Sequence, residues 1–93
     1  MASVDPISFA GEQTLSLRQI DELNGLAKGS SFRLFKTCEE ELVEGRDFHW
    51  LNAELHAGFI DQLKREGRIY ATTRNLVLLT RSGYEQIRIR SRS

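Results

Sequence analysis

Six side chains suited to holding phosphate fall within residues 28–37: Lys28, Ser30, Ser31, Arg33, Lys36 and Thr37. Lysine and arginine donate charge-assisted hydrogen bonds to phosphate, and serine and threonine donate neutral ones. Arginine can also take a guanine edge bidentately. A second set, Arg68, Arg74, Asn75 and Arg81, brackets the stretch GRIYATTRNLVLLT at residues 67–80. Arginine on a short ribbon can grip a phosphate or enter a minor groove. A solvated turn explains Arg74-Asn75 equally well.

Residue types suited to catalysis are sparse. His49 and His56 stand seven apart, with no cysteine or carboxylate set at ligand spacing, so no metal site is expected. Cys38 reads as a core residue on a helix, because a catalytic thiol needs a base that the sequence does not place near it. Neither a phosphate-binding P-loop nor a GxGxxG run occurs. The expectation is therefore no enzyme, no catalytic residue and no cofactor. Glu39-Glu40-Glu41 reads as a solvated face. Trp50 reads as a core or half-core side chain, with an interface anchor as the other reading.

The elements that must position these residues follow from hydrophobic spacing. Ser16 with Gln19 forms a capping box, Leu15 and Ile20 stand at staple positions, and Leu17, Ile20, Leu23 and Leu26 recur at helical spacing. A first helix is expected over 17–26. Gly29 supplies a left-handed position, and the serines after it can cap a second helix over 31–43. Phe32, Phe35, Cys38 and Leu42 are its expected inward stripe. Helix-start N–H groups near Ser30 and Ser31 are expected to be open to a phosphate. The aromatic run 47–51 reads as a strand. Asn52 can cap a third helix over 53–66, with Leu55, Phe59, Ile60 and Leu63 inward and Gly67 as its stop. Residues 69–73 and 76–80 read as two strands of a hairpin, with Asn75 left-handed at the tip. The second of these is apolar on both faces and is expected at the centre of the sheet. Ser82 and Glu85 offer a capping box for a last short helix through about residue 89, which Gly83 weakens.

The 93 residues suffice for one domain. The expected division is a flexible lead over 1–14, a single domain over 15–90 and a tail over 91–93. No apolar run spans a membrane, and the opening MASVDPISFAGEQT lacks the basic start and apolar core of a secretory signal. A single cysteine fits a reducing compartment, so the expected location is the cytoplasm. Net charge is zero, which argues against indiscriminate nucleic-acid binding. The charge is unevenly spread, however. Residues 1–47 hold five basic residues against nine acidic ones, a balance of −4. Residues 64–93 hold eight basic residues against Glu66 and Glu85, a balance of +6. Such a split is a footprint of an anionic partner meeting one face, or simply of a basic C-terminal segment.

Helix, helix, strand, helix, strand, strand, short helix describes a small α+β domain. Its expected form is winged helix-turn-helix-like, with three to four helices and a two- to three-stranded sheet. The segment EGRDF at 44–48, followed by LVLLTRSGY at 76–84, resembles the N-terminal domains of phage-type antirepressors and regulators, of which the KilA-N kind is one example. The closing VLLT-x-x-G step also resembles the end of bacterial winged-helix regulators. The resemblance covers about residues 15–87 and implies a DNA-binding module of a prokaryotic or phage transcriptional regulator. Its partner would be double-stranded DNA, with the second helix in the major groove and the hairpin as a wing. The third helix is the rival reading helix, although its opening residues form a poor phosphate surface. A homodimer or protein partner would supply further affinity. The alternative is a protein-interaction adaptor of the same fold that does not bind DNA.

Overall fold

The computed structural model describes residues 5–91; residues 1–4 of the expected lead and 92–93 of the expected tail lie outside it. The fold is α+β, with four helices and a four-stranded antiparallel sheet. Its strands are β1 (Ile7–Phe9), β2 (Glu12–Ser16), β3 (Phe48–Leu51) and β4 (Leu76–Leu79), in the spatial order β1-β2-β4-β3. Its helices are α1 (Leu17–Leu23), α2 (Ser30–Cys38), α3 (Ala57–Arg65) and α4 (Arg81–Ser91). A 3-10 turn at Glu39–Glu41 follows α2.

The two faces of β4 explain the layering. Every residue of β4 is buried, as an apolar run in the middle of a sheet requires. Val77 and Leu79 join Ile20, Phe35, Cys38, Phe48 and Ile87, so one core lies beneath α1, α2 and α4. Leu76 and Leu78 join Ile7, Leu51, Ile60, Leu63 and Ile69, so a second core lies beneath α3. Each buried aliphatic side chain contributes roughly 1.5–3 kcal/mol, and β4 supplies both cores at once.

The N-terminal region departs from the sequence expectation. Instead of a flexible lead, β1 and β2 form a hairpin through Ala10 and Gly11, both at positive φ (53° and 79°). That is the turn whose twist matches paired strands. Ile7 and Thr14 are buried, and the Thr14 hydroxyl donates to the Ile7 carbonyl at 2.7 Å. The polar composition of the segment hid one anchoring isoleucine.

The expected hairpin wing is also corrected. Residues 69–73 form a loop, not a strand, and β4 pairs with β2 and β3. Asn75 is not left-handed, since Ala10 is the only non-glycine residue with positive φ among those described. Gly67 does stop α3: with φ 74°, it sets Gly67 N–H on the Lys64 carbonyl and Arg68 N–H on the Leu63 carbonyl, a Schellman ending. The loop after it is fastened to α1. Ser16 Oγ donates to the Arg68 carbonyl at 2.6 Å, and Arg18 Nη1 donates to the Ile69 carbonyl at 3.2 Å.

Helix ends differ for local reasons. The Ser16–Gln19 capping box forms, but α1 ends at Leu23 because Gly25 turns left-handed (φ 64°), which leaves Leu26 41 % exposed. The α-helical part of α2 ends at Cys38, short of the expected 43. Asn52 Oδ1 accepts from Glu54 N–H and Leu55 N–H, so it caps a turn, and α3 begins only at Ala57. Leu55 is left 82 % exposed and outside the stripe assigned to it. Thr80, not Ser82, caps α4, its hydroxyl accepting from Gly83 N–H at 3.3 Å. Among the described residues no helix is long and apolar enough to cross a membrane.

Candidate functional site

A groove of about 560 Å³ runs between α2, the start of α1, the loop over 69–75 and the adjacent ends of β3 and β4. Lys28, Lys36, Arg74 and Asn75 line it, so the loop tip and the start of α2 do share one surface. Arg33 and Thr37 are exposed on α2 beside them, and the Thr37 hydroxyl donates back to the Arg33 carbonyl at 2.9 Å. Lys36 pairs with Glu39 at 2.8 Å. Asn75 Oδ1 accepts from Ala53 N–H at 2.9 Å, which ties the tip to the segment before α3.

Four of the sequence-selected residues do not belong to this surface as expected. Ser31 is wholly buried and Ser30 is half-buried. The helix-start amides are also occupied, because Asp21 Oδ1 accepts from Ser31 N–H at 2.8 Å and Asp21 Oδ2 from Gly29 N–H at 3.0 Å. A carboxylate from α1 thus takes the place expected for a phosphate. Arg68 turns to Glu66 at 3.3 Å. Arg81 pairs with Glu85 and sits at the far end of β4 from Arg74, beside a smaller hollow lined by Pro6, Gln13 and Tyr84.

Spacing and motifs do not mark Arg18, Asp21 or Tyr70 as part of this surface, and Phe32 lies more open than its spacing implies. Phe32 was assigned to the inward stripe of α2 but is 50 % exposed at the groove. Helical spacing alone cannot tell the edge of a buried stripe from its centre. Trp50, with expected readings of core, half-core or interface anchor, is 46 % exposed on the groove wall, which sets aside the fully buried one. Tyr70 is held on three sides: Arg18 lies 5.5 Å and Lys28 5.2 Å from its ring centroid, and its hydroxyl donates to Asp21 Oδ2 at 2.6 Å. Burial and the Asp21 bond push the Tyr70 pKa up to about 12. Burial would raise the Asp21 carboxyl. The bonds from Tyr70, from Ser31 and from the Gly29 amide outweigh that and hold it below its ordinary value.

The other reactive residue types are dispersed. Cys38 is buried in the core beneath α1, α2 and α4. His49 and His56 pack around Phe9 on the α3 side, with His49 Nε2 2.7 Å from Glu12 Oε1. No group of three or more histidine, cysteine, aspartate or glutamate side chains suited to a metal gathers among the described residues. The site is therefore a concave surface with cations and two half-exposed aromatic rings. Comparison of the chain with protein-family models, curated proteins and solved structures gives no match.

Proposed function

We propose that the chain is a DNA-binding module of a prokaryotic or phage transcriptional regulator, built on a helix-turn-helix of α1 and α2. The observation that carries this reading is the gathering of Lys28, Lys36 and Arg74 at one groove beside the exposed Arg33 and Thr37 of α2. In this reading α2 enters the major groove, with Arg33, Lys36 and Thr37 toward base edges and phosphates. The loop over 68–75 takes the place of a hairpin wing and sets Arg74 on the backbone. Glu40 and Glu41, in the turn after α2, point away from the duplex in this reading, and a phosphate would displace Glu39 from Lys36. The resemblance carried by EGRDF and LVLLTRSGY supports the same role. The test is a mobility shift with pooled duplexes at low salt. The duplex band should be retarded, and Arg33→Ala with Lys36→Ala should weaken binding by about tenfold or more. Absence of any shift at low salt removes the proposal.

The half-exposed Trp50 and Phe32 favour a second reading, a protein-interaction adaptor on the same fold. Aromatic side chains of this kind anchor interfaces. A partner that engages this surface while duplex DNA does not would select it.

A further inference from the structure

The groove holds more than a duplex contact requires. A convex helix suffices to follow a major groove, whereas Trp50 and Tyr70 stand in a concavity. Tyr70 is already committed to Arg18, Lys28 and Asp21. Trp50 and Phe32 are not committed: each is about half exposed, and neither ring stacks on another aromatic ring or a cation among the described residues. The charges beside them are one-sided. Arg18, Lys28, Lys36 and Arg74 line the groove against the single acid Glu39. Arg74 has no ion pair among the described residues, and Lys28 lies over the Tyr70 ring rather than on a carboxylate.

Lys36 pairs with Glu39 and Arg18 with Glu22, which leaves Lys28 and Arg74 as the groove cations without an ion pair among the described residues. Open aromatic faces beside such cations match flat π-systems joined by phosphates. Bases stack on aromatic side chains while the cations follow the backbone, and every base offers such a face. At about 560 Å³ the groove falls within the range that receives compact ligands, about 300–1,000 Å³, and has room for unstacked nucleotides. We infer that this groove binds an unpaired stretch of nucleic acid, with bases on Trp50 and Phe32 and phosphates on Lys28, Lys36 and Arg74. This rests on reading the surface as a nucleic-acid interface. It goes further by assigning the concavity between these cations to unpaired bases, so that a single strand and a duplex would compete for Lys28, Lys36 and Arg74.

The sequence contains a single tryptophan, so intrinsic indole fluorescence reports on Trp50 alone. The full chain is titrated with short poly(dT), with poly(rU), with an abasic oligonucleotide of the same length and with poly-glutamate. The expected result is quenching by the base-bearing strands and little by the abasic strand or the peptide. The poly(dT) and poly(rU) arms tell a DNA source from an RNA one. In anisotropy with labelled strands, Trp50→Ala and Phe32→Ala should each weaken single-strand binding by about tenfold and leave duplex retardation within about twofold. Both positions are half exposed, and circular dichroism checks that the variants fold. Equal quenching by abasic strand or peptide would overturn the inference, as would single-strand affinity unchanged in both variants. Duplex retardation without quenching by any single strand would overturn it while leaving the proposed function standing. Single-strand binding without duplex retardation would do the reverse.

Discussion

Asp47 and Asp21 are buried carboxylates that fasten elements distant in sequence. Asp47 has no exposed surface. Its carboxylate accepts from Ser82 Oγ at 2.6 Å, Val43 N–H at 2.9 Å and Arg46 Nη2 at 3.1 Å, and its carbonyl accepts from Thr80 N–H at 3.0 Å. Burial would raise its pKa, but the bonds from Arg46, Ser82 and Val43 win and hold the carboxyl below its ordinary value. Asp21 is depressed in the same way. A depressed carboxylate stabilises the fold above its unfolded pKa, and that stability is lost as pH falls through the folded pKa. The fold should therefore hold its stability down to about pH 4 and lose it progressively below. Urea denaturation across that range checks this. Asp47→Asn should cost about 2–3 kcal/mol near neutrality, and its gap to the parent protein should narrow in acid. A gap that stays constant with pH would mean that Asp47 is not ionised in the fold.

At the scale of elements, two pairs of residues make opposite demands on the backbone. Gly83 lies on α4 where a Cβ would fall inside the Asp47 carbonyl, whereas a Cβ at Gly58 on α3 meets nothing within 4 Å. Alanine is the better helix former by about 1 kcal/mol. Gly58→Ala should therefore raise stability by about that amount. Gly83→Ala should lower it by about 2 kcal/mol or more, because α4 must move off β3's lead-in. Equal effects in thermal melts would show that this approach is not close. At the β1–β2 turn, Gly11 suits its positive φ and Ala10 does not. Ala10→Asn should stabilise by about 0.5–1 kcal/mol, read as a raised melting temperature, since asparagine tolerates the left-handed region.

Across the whole molecule, charge and layering separate the candidate surface from the supports. The sheet divides two cores, and the groove opens on the α2 side, where cations from α1, α2, the turn before α2 and the loop before β4 meet. Net charge is zero, so duplex affinity would have to come from these local contacts rather than from a global field. Contacts by Lys28, Arg33, Lys36 and Arg74 predict a slope of about −3 to −4 for log affinity against log salt. A slope near zero in a salt series would mean that phosphates are not what holds the duplex.

Local signals carried part of this fold. The Ser16–Gln19 box, the left-handed Gly29, the Gly67 stop, the strand at 48–51 and the central position of Leu76–Leu79 could all be read from the sequence. Each depends on neighbours a few residues apart or on an unmistakable apolar run. The candidate site was legible in half: the basic residues of α2 and Arg74-Asn75 share a surface, but Ser30, Ser31, Arg68 and Arg81 do not serve it as expected. What the sequence by itself determined was which residue types were available and where α1 and α2 began. Only the tertiary structure decided which partner β4 takes, that Ile7 anchors a fourth strand, that Asp21 fills the helix start, and that Phe32 and Trp50 stay open. Those outcomes rest on contacts between residues far apart along the chain, which no local spacing encodes.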